Sequence, residues 1–230
     1  MTKIPVYFVP GLAASSSIFE NIKLPDDQFE MILLDWQLPM ANESLQQYCK
    51  RWTRQITHQN PVLIGVSFGG VVVQEMSKLI AVRKVIIISS AKCNSEFPLR
   101  MRLAKYGGLY KLIPTSLLTR VKPLDSLPIG STKIKKRLKL YERYIGVRDQ
   151  QYLDWAIKAL IFWDRCEPDP NIIHIHGDAD EIFPAKYVKN YISVPGGTHI
   201  MILNKSRWLN KHLPKIILAH PDEIKNKTFK

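Results

Sequence analysis

Val62-Leu63-Ile64-Gly65-Val66-Ser67-Phe68-Gly69-Gly70-Val71-Val72-Val73-Gln74-Glu75-Met76 decides how this chain folds. The run Val62 to Ile64 is short, apolar and mostly β-branched, which suits a strand buried on both faces. Residues Gly70 to Met76 read as a helix. Between them, Gly65-Val66-Ser67-Phe68-Gly69 is a tight turn from strand to helix. A bare G-x-S-x-G string arises by accident in roughly one chain in a dozen of this length, so the strand before it and the helix after it carry the weight. Such a turn projects Ser67 from the end of the strand in strained backbone geometry, and only glycines at the flanking positions let neighbouring segments come close enough. The competing reading is a glycine-rich turn in which Ser67 caps the following helix.

The same alternation of short apolar runs with helical stripes extends outward from this stretch, as βαβ units require. Val6 to Val9, Met31 to Leu34, Val62 to Ile64, Val85 to Ile88, Ile172 to Ile175 and Tyr191 to Val194 are expected to form the six strands of a parallel sheet. Gly, Pro, Asp or Ser follows each of them in a loop. Asn42 is expected to cap a helix that carries Leu45, Tyr48, Cys49, Trp52 and Ile56 on one face, packed on the sheet. A last helix from about Asn204 carries Trp208, Leu209 and Leu213 and is expected to kink or restart at Pro214. The polar tail from Pro221 is expected to fray.

Residues 93–165 break this rhythm. They hold no clear strand but several helical stripes and many aromatics, and they read as a helical insertion in which Ile134, Leu138, Tyr141 and Ile145 share one face. The insertion has 15 Lys and Arg against 6 Asp and Glu, so it holds nine of the thirteen net positive charges of the whole chain. No tandem repeat or low-complexity block interrupts the sequence.

The chain has 230 residues, 46% of them apolar and 23% charged, which is ordinary globular composition and excludes collagen, coiled coil and wholesale disorder. With 33 Lys and Arg against 20 Asp and Glu, an anionic substrate, membrane or nucleic acid has to be considered. The first residues lack the long apolar stretch and small-residue cleavage site of a secretory signal, and no apolar run reaches membrane-spanning length, so a cytoplasmic protein is expected. Cys49, Cys93 and Cys166 show no metal-ligand or disulfide spacing and read as buried free thiols.

A serine hydroxyl is a poor nucleophile until a base takes its proton, and that base needs a carboxylate to orient it. Two loops after strands offer these groups: His176-Gly177-Asp178-Ala179-Asp180-Glu181, and Pro195-Gly196-Gly197-Thr198-His199. Loops at the carboxyl ends of parallel strands share one edge of the sheet, so Ser67, Asp180 and His199 can meet there. Asp178 is the rival to Asp180. His174 and His176 lie on or beside a strand, while His58, His212 and His220 read as helix-end or surface residues.

At this point the chain resembles the α/β-hydrolase family, whose marks are a G-x-S-x-G nucleophile elbow, an H-G-x-x-D segment and a late G-x-H segment, in that order. The resemblance covers residues 1–92 and 166–230 as the core, with 93–165 where this family inserts a helical lid. It implies a trimmed, mostly parallel six-stranded sheet flanked by helices, lacking the two leading strands of larger members. It also implies Ser67 as nucleophile and His199 as base. The family spacing puts the acid three residues after the glycine, which selects Asp180. The oxyanion donors would be the backbone N–H groups of Phe68 and of Leu12, in the loop after the first strand. That loop reads Pro10-Gly11 where family members commonly have His-Gly, so any function of that histidine is missing.

The resemblance implies a serine hydrolase cleaving a carboxylic ester or thioester, with no metal or organic cofactor. A serine at the elbow argues against dehalogenase or epoxide hydrolase chemistry, where an aspartate attacks. Acyl transfer uses nearly the same residues, and a ligand-binding protein that keeps the residues without hydrolysis is the other alternative. Neither nucleic acid nor membrane is an expected partner, because basic residues on an amphipathic helix are usually its solvated face. The basic insertion would instead steer an anionic substrate toward the site. Tyr106, Tyr110, Trp155 and Phe162 are the candidates for the acyl pocket.

Overall fold

The computed structural model describes residues 2–106, 143–220 and 223. Six strands, β1 (Ile4–Val9), β2 (Phe29–Leu33), β3 (Val62–Val66), β4 (Lys84–Ile88), β5 (Ile173–Gly177) and β6 (Ile192–Val194), form one sheet in the order β2-β1-β3-β4-β5-β6. Every pairing is parallel. All six therefore end at the same edge. The strand order reverses between β1 and β3, which opens a crevice beyond their carboxyl ends.

Side chains alternate across the sheet with period two and feed a separate core on each face. Tyr7, Val9, Leu63, Val85 and Ile87 face α1 (Leu45–Trp52) and α2 (Phe68–Met76). Val6, Phe8, Val62, Ile64, Ile86, Ile88 and Ile175 face Leu209, Leu213, Ile216 and Ile217 of the last helix. Both faces are covered, so the central strands β3 and β4 are buried along their whole length. This is why they read as continuous apolar runs instead of alternating ones.

Several local expectations change. The cap of α1 is Ser44, not Asn42: the Ser44 hydroxyl accepts the Gln47 N–H while the Gln47 side chain accepts the Ser44 N–H. A reciprocal box satisfies two of the donors a helix leaves open, where Asn42 alone would satisfy one. The helix ends at Trp52, so Ile56 lies beyond it. After α3 (Leu99–Leu103) and α4 (Gln150–Ile161), the short α5 (Met201–Asn204) precedes α6 (Ser206–Leu218), which runs through Pro214 without restarting. Three carbonyls at its end, those of the buried Ile216 and Ile217 and of the half-buried Ala219, accept from the Lys84 ammonium. They are the orphan acceptors of a helix C-terminus, where positive charge is favoured. His212 is buried within α6 against Trp208 and is not a surface residue. Cys49 and Cys93 are buried free thiols, but Cys166 is exposed.

In residues 93–165, Ile145 lies in an isolated bridge to Ala14 and not on a helix. Ile134, Leu138 and Tyr141 lie outside the described residues, as do Tyr110 and most of the tail from Pro221. Around the bridge, Ser15 N–H donates to the Tyr144 carbonyl at 2.8 Å and Gly146 N–H to the Ala13 carbonyl at 2.9 Å. The segment around Tyr144 and Gly146 is thereby hydrogen-bonded to the loop after β1. Among the described residues no helix is long and apolar enough to cross a membrane.

Candidate active site

Ser67 occupies the turn between β3 and α2 with φ +52° and ψ −119°. A non-glycine residue there is strained by about 1–3 kcal/mol, and such a conformation persists only where its surroundings impose it. Three constraints do so. Ser67 N–H donates to the Ile88 carbonyl at 3.0 Å, and the Ser90 hydroxyl donates to the Ser67 carbonyl at 2.8 Å. The third is steric: a Cβ on Gly65 would sit 2.2 Å from the Gly69 carbonyl oxygen, and one on Gly69 would sit 2.3 Å from that of Pro10. Strand, helix and the loop after β1 meet here backbone to backbone. The Ser67 side chain makes no capping bond to α2, so the capping role weighed from the sequence is not the one it has.

His199 lies five residues beyond β6, two strands further from β3 than β4 is. Its loop reaches back because Gly177 has no side chain: a Cβ there would lie 2.2 Å from the Gly197 carbonyl oxygen. His199 Nε2 lies 3.0 Å from Ser67 Oγ, and His199 Nδ1 lies 3.0 Å from Asp180 Oδ2. A carboxylate only accepts, so Nδ1 carries the proton and Nε2 is left to accept from the Ser67 hydroxyl. The imidazole is partly exposed, at 22%, while the Asp180 side chain is wholly buried.

The other oxygen of Asp180, Oδ1, accepts the N–H groups of Ile182 at 2.8 Å and Phe183 at 2.9 Å. Burial pushes its carboxyl upward, but the hydrogen bond and charge of His199, with the Phe183 N–H, outweigh this and hold it below the ordinary aspartate value. Asp178 turns elsewhere, its Oδ1 accepting the Gly196 N–H at 2.7 Å.

Behind Asp180 lies a pair of strand histidines, His174 and His176. His176 Nε2 donates to the Phe183 carbonyl at 2.8 Å, so its Nδ1 accepts, and His174 Nε2 is the donor 3.1 Å away. His176 thus steadies the segment whose N–H groups hold Asp180. The two rings are buried, and His174 Nδ1 has no partner among the described residues. Burial pushes both imidazoles below their ordinary value; for His176 the nearby Asp180 opposes the shift, and for His174 the neighbouring His176 adds to it. The unfolded chain would protonate both near pH 6.5 whereas the folded one resists, so stability is full above that pH and falls as pH drops below it. The expected slope is up to about 1.4 kcal/mol per pH unit for each histidine. Urea midpoints at pH 7, 6 and 5 measure it, and His174→Gln, with one titrating group fewer, is expected to flatten the slope; an unchanged slope would refute this assignment.

The N–H of Phe68 belongs to the first turn of α2, whose leading N–H groups have no acceptor within the helix. Leu12 lies in the loop packed against Gly69. Trp36, three residues beyond the end of β2, is buried, stacks on Phe68 with ring centroids 5.4 Å apart, and donates from Nε1 to the Gly11 carbonyl at 2.9 Å. Ser90 and Trp36 both lie just past strand ends on the same edge, the one signal from which they might have been chosen.

Of the expected pocket residues, Trp155 on α4 packs edge-on against Phe68 with centroids 6.0 Å apart. Tyr106 and Phe162 are exposed instead. Phe162 borders a cleft of about 880 Å³ between the Pro39–Gln46 segment and α4, which neither Ser67 nor His199 lines. Among the described residues no group of three His, Cys, Asp or Glu side chains is arranged to hold a metal ion.

A parallel sheet of this order, with a serine on a strained turn after a central strand, defines the α/β-hydrolase fold, and the chain has that fold. Solved structures superpose on it over nearly its full length. An esterase from Thermogutta terrifontis is 12% identical with TM-score 0.67, covering 94% of this chain and 90% of its own. A bromoperoxidase from Bacillus anthracis is 18% identical with TM-score 0.66, covering 94% and 92%. An esterase from Exiguobacterium antarcticum is 14% identical with TM-score 0.65, covering 95% and 93%. No protein-family model and no curated protein matches the sequence.

Proposed function

We propose that the chain is a serine hydrolase that cleaves a carboxylic ester or thioester through an acyl-enzyme on Ser67. The observation that carries this reading is the unbroken hydrogen-bonded line from Ser67 Oγ through His199 to Asp180, at 3.0 Å in each step. The two esterases among its structural relatives support the ester class.

In the proposed reaction His199 Nε2 takes the Ser67 proton as Oγ bonds to the substrate carbonyl carbon. Asp180 stays ionised and stabilises the imidazolium that forms. The carbonyl oxygen becomes an oxyanion held by the N–H groups of Leu12 and Phe68, each worth a few kcal/mol when aimed at it. The imidazolium then passes its proton to the leaving alcohol or thiol, whose bond to the carbonyl carbon breaks. Water gives a proton to His199 as it adds to the acyl group; collapse then breaks the bond from the acyl carbon to Ser67 Oγ, which takes that proton back from His199, and the acid leaves. Residues 93–165 form the lid in this reading, and their basic excess favours an acyl substrate bearing negative charge.

A fluorophosphonate probe followed by intact-mass measurement tests the reading. One adduct is expected on the wild type and none on Ser67→Ala. Failure to label under conditions that label a control serine hydrolase would refute it and favour a ligand-binding role.

A further inference from the structure

We infer that Trp36 is a positioning residue that aims the oxyanion donors, an inference that rests on the serine hydrolase reading above. A trans peptide is planar, with its C=O and N–H pointing in opposite directions. The carbonyl of Gly11 and the N–H of Leu12 belong to one such unit. Whatever holds the Gly11 carbonyl therefore sets the direction of the Leu12 N–H. Two donors hold it, Trp36 Nε1 at 2.9 Å and the Ala14 N–H at 3.1 Å. The Ala14 bond closes a local turn and moves with it, whereas the indole comes from another part of the chain. Trp36 is thus the tertiary reference against which this peptide is oriented.

The same ring fixes the second donor. It stacks on Phe68 at 27° between planes and on Trp52 at a centroid distance of 4.9 Å, while Tyr152 lies tilted against it at 5.7 Å. Phe68 is the residue whose N–H is the other proposed donor. One buried indole hence touches both elements of the proposed oxyanion site. Asp35, its neighbour in sequence, holds the far end of the same loop through the Ser16 N–H at 2.6 Å and hydroxyl at 2.9 Å. The segment after β2 thus clamps the loop at both ends.

Trp36→Phe removes the N–H and keeps an aromatic ring on Phe68. Trp52→Phe is the matched control, since it shrinks an indole in the same stack whose Nε1 has no hydrogen-bond partner among the described residues. Steady-state hydrolysis of p-nitrophenyl butyrate is measured for wild type, both variants and Ser67→Ala, with binding of a trifluoromethyl ketone that forms an oxyanion on the serine. For Trp36→Phe, kcat is expected to fall about 10- to 100-fold with KM within about twofold, below the full effect of deleting a donor. Affinity for the ketone should fall in parallel. Trp52→Phe should stay within about twofold in kcat. If Trp36→Phe does not fold, benzothienyl-alanine in place of Trp36, which substitutes sulfur for the N–H in a ring of the same shape, gives the same readout. Near-wild-type kcat in the Trp36 variant, or equal losses in both variants, would overturn the assignment while Ser67-dependent turnover keeps the hydrolase reading intact. Absence of Ser67-dependent turnover in the wild type would instead remove that reading and this inference with it.

Discussion

Ser67→Ala is expected to lower turnover of an activated ester by about 10⁴-fold or more, leaving only what binding and the oxyanion donors contribute. The thermal midpoint should move little. The alanine keeps the backbone bonds from Ser67 N–H to Ile88 and from the Ser90 hydroxyl to the residue-67 carbonyl, and only the hydrogen bond to His199 is lost. Groups that work as a unit do not add, so Ser67→Ala combined with His199→Ala should be no slower than Ser67→Ala alone. Turnover of p-nitrophenyl esters from acetate to palmitate measures both, and the chain-length profile of the wild type reports the acyl pocket. A Ser67→Ala enzyme retaining more than about a tenth of the activity would refute the role given to this serine.

Asp180→Asn is expected to lower kcat by about 10³- to 10⁴-fold through a change of tautomer. The Oδ1 position accepts two backbone N–H groups, from Ile182 and Phe183, so the amide oxygen of an asparagine would take that side. Its NH₂ would then face His199 Nδ1. The imidazole can meet a donor only by accepting, which moves its proton to Nε2, where it points at Ser67 and can no longer receive the serine proton. Asp178→Asn provides the contrast: the Asp178 carboxylate accepts the Gly196 N–H and not His199, and its loss should change kcat by no more than a few-fold. If the two substitutions had equal effects, the acid would be misassigned.

Much of this arrangement was legible in one dimension. The central strands β3 and β4 were visible as short apolar runs because strands covered on both faces leave little polar to interrupt them. The G-x-S-x-G turn was legible because its glycines are demanded by contacts that allow no Cβ, at Gly65 and Gly69. Asp180 and His199 could be proposed because loops after parallel strands share an edge, whatever their separation along the chain. The choice between Asp178 and Asp180 came from family spacing; in the structure His199 is hydrogen-bonded to Asp180, and Asp178 to the Gly196 N–H.

Other features left no trace that periodicity could detect. His176 read as a strand histidine, and its bond to the Phe183 carbonyl ties it to the loop of Asp180. Ser44 outcompeted Asn42 as a cap because Gln47 lies where it can return the bond. Trp155 could not be distinguished from Tyr106 or Phe162 by helical phase, since phase gives a face but not what that face meets.

By itself the sequence determined the layers of this protein, the hand-off from strand to helix at Ser67, and the edge at which its polar groups gather. These follow from local periodicity and from backbone sterics, which act over a few residues. The tertiary structure alone decided that Trp36 grips the Gly11 carbonyl, that Ser90 restrains the elbow, and that the loop of His199 crosses over Gly177 toward β3. Those are contacts between segments tens of residues apart, selected by packing and by the need to pair every buried polar group, and such matching exists only once the chain has closed on itself.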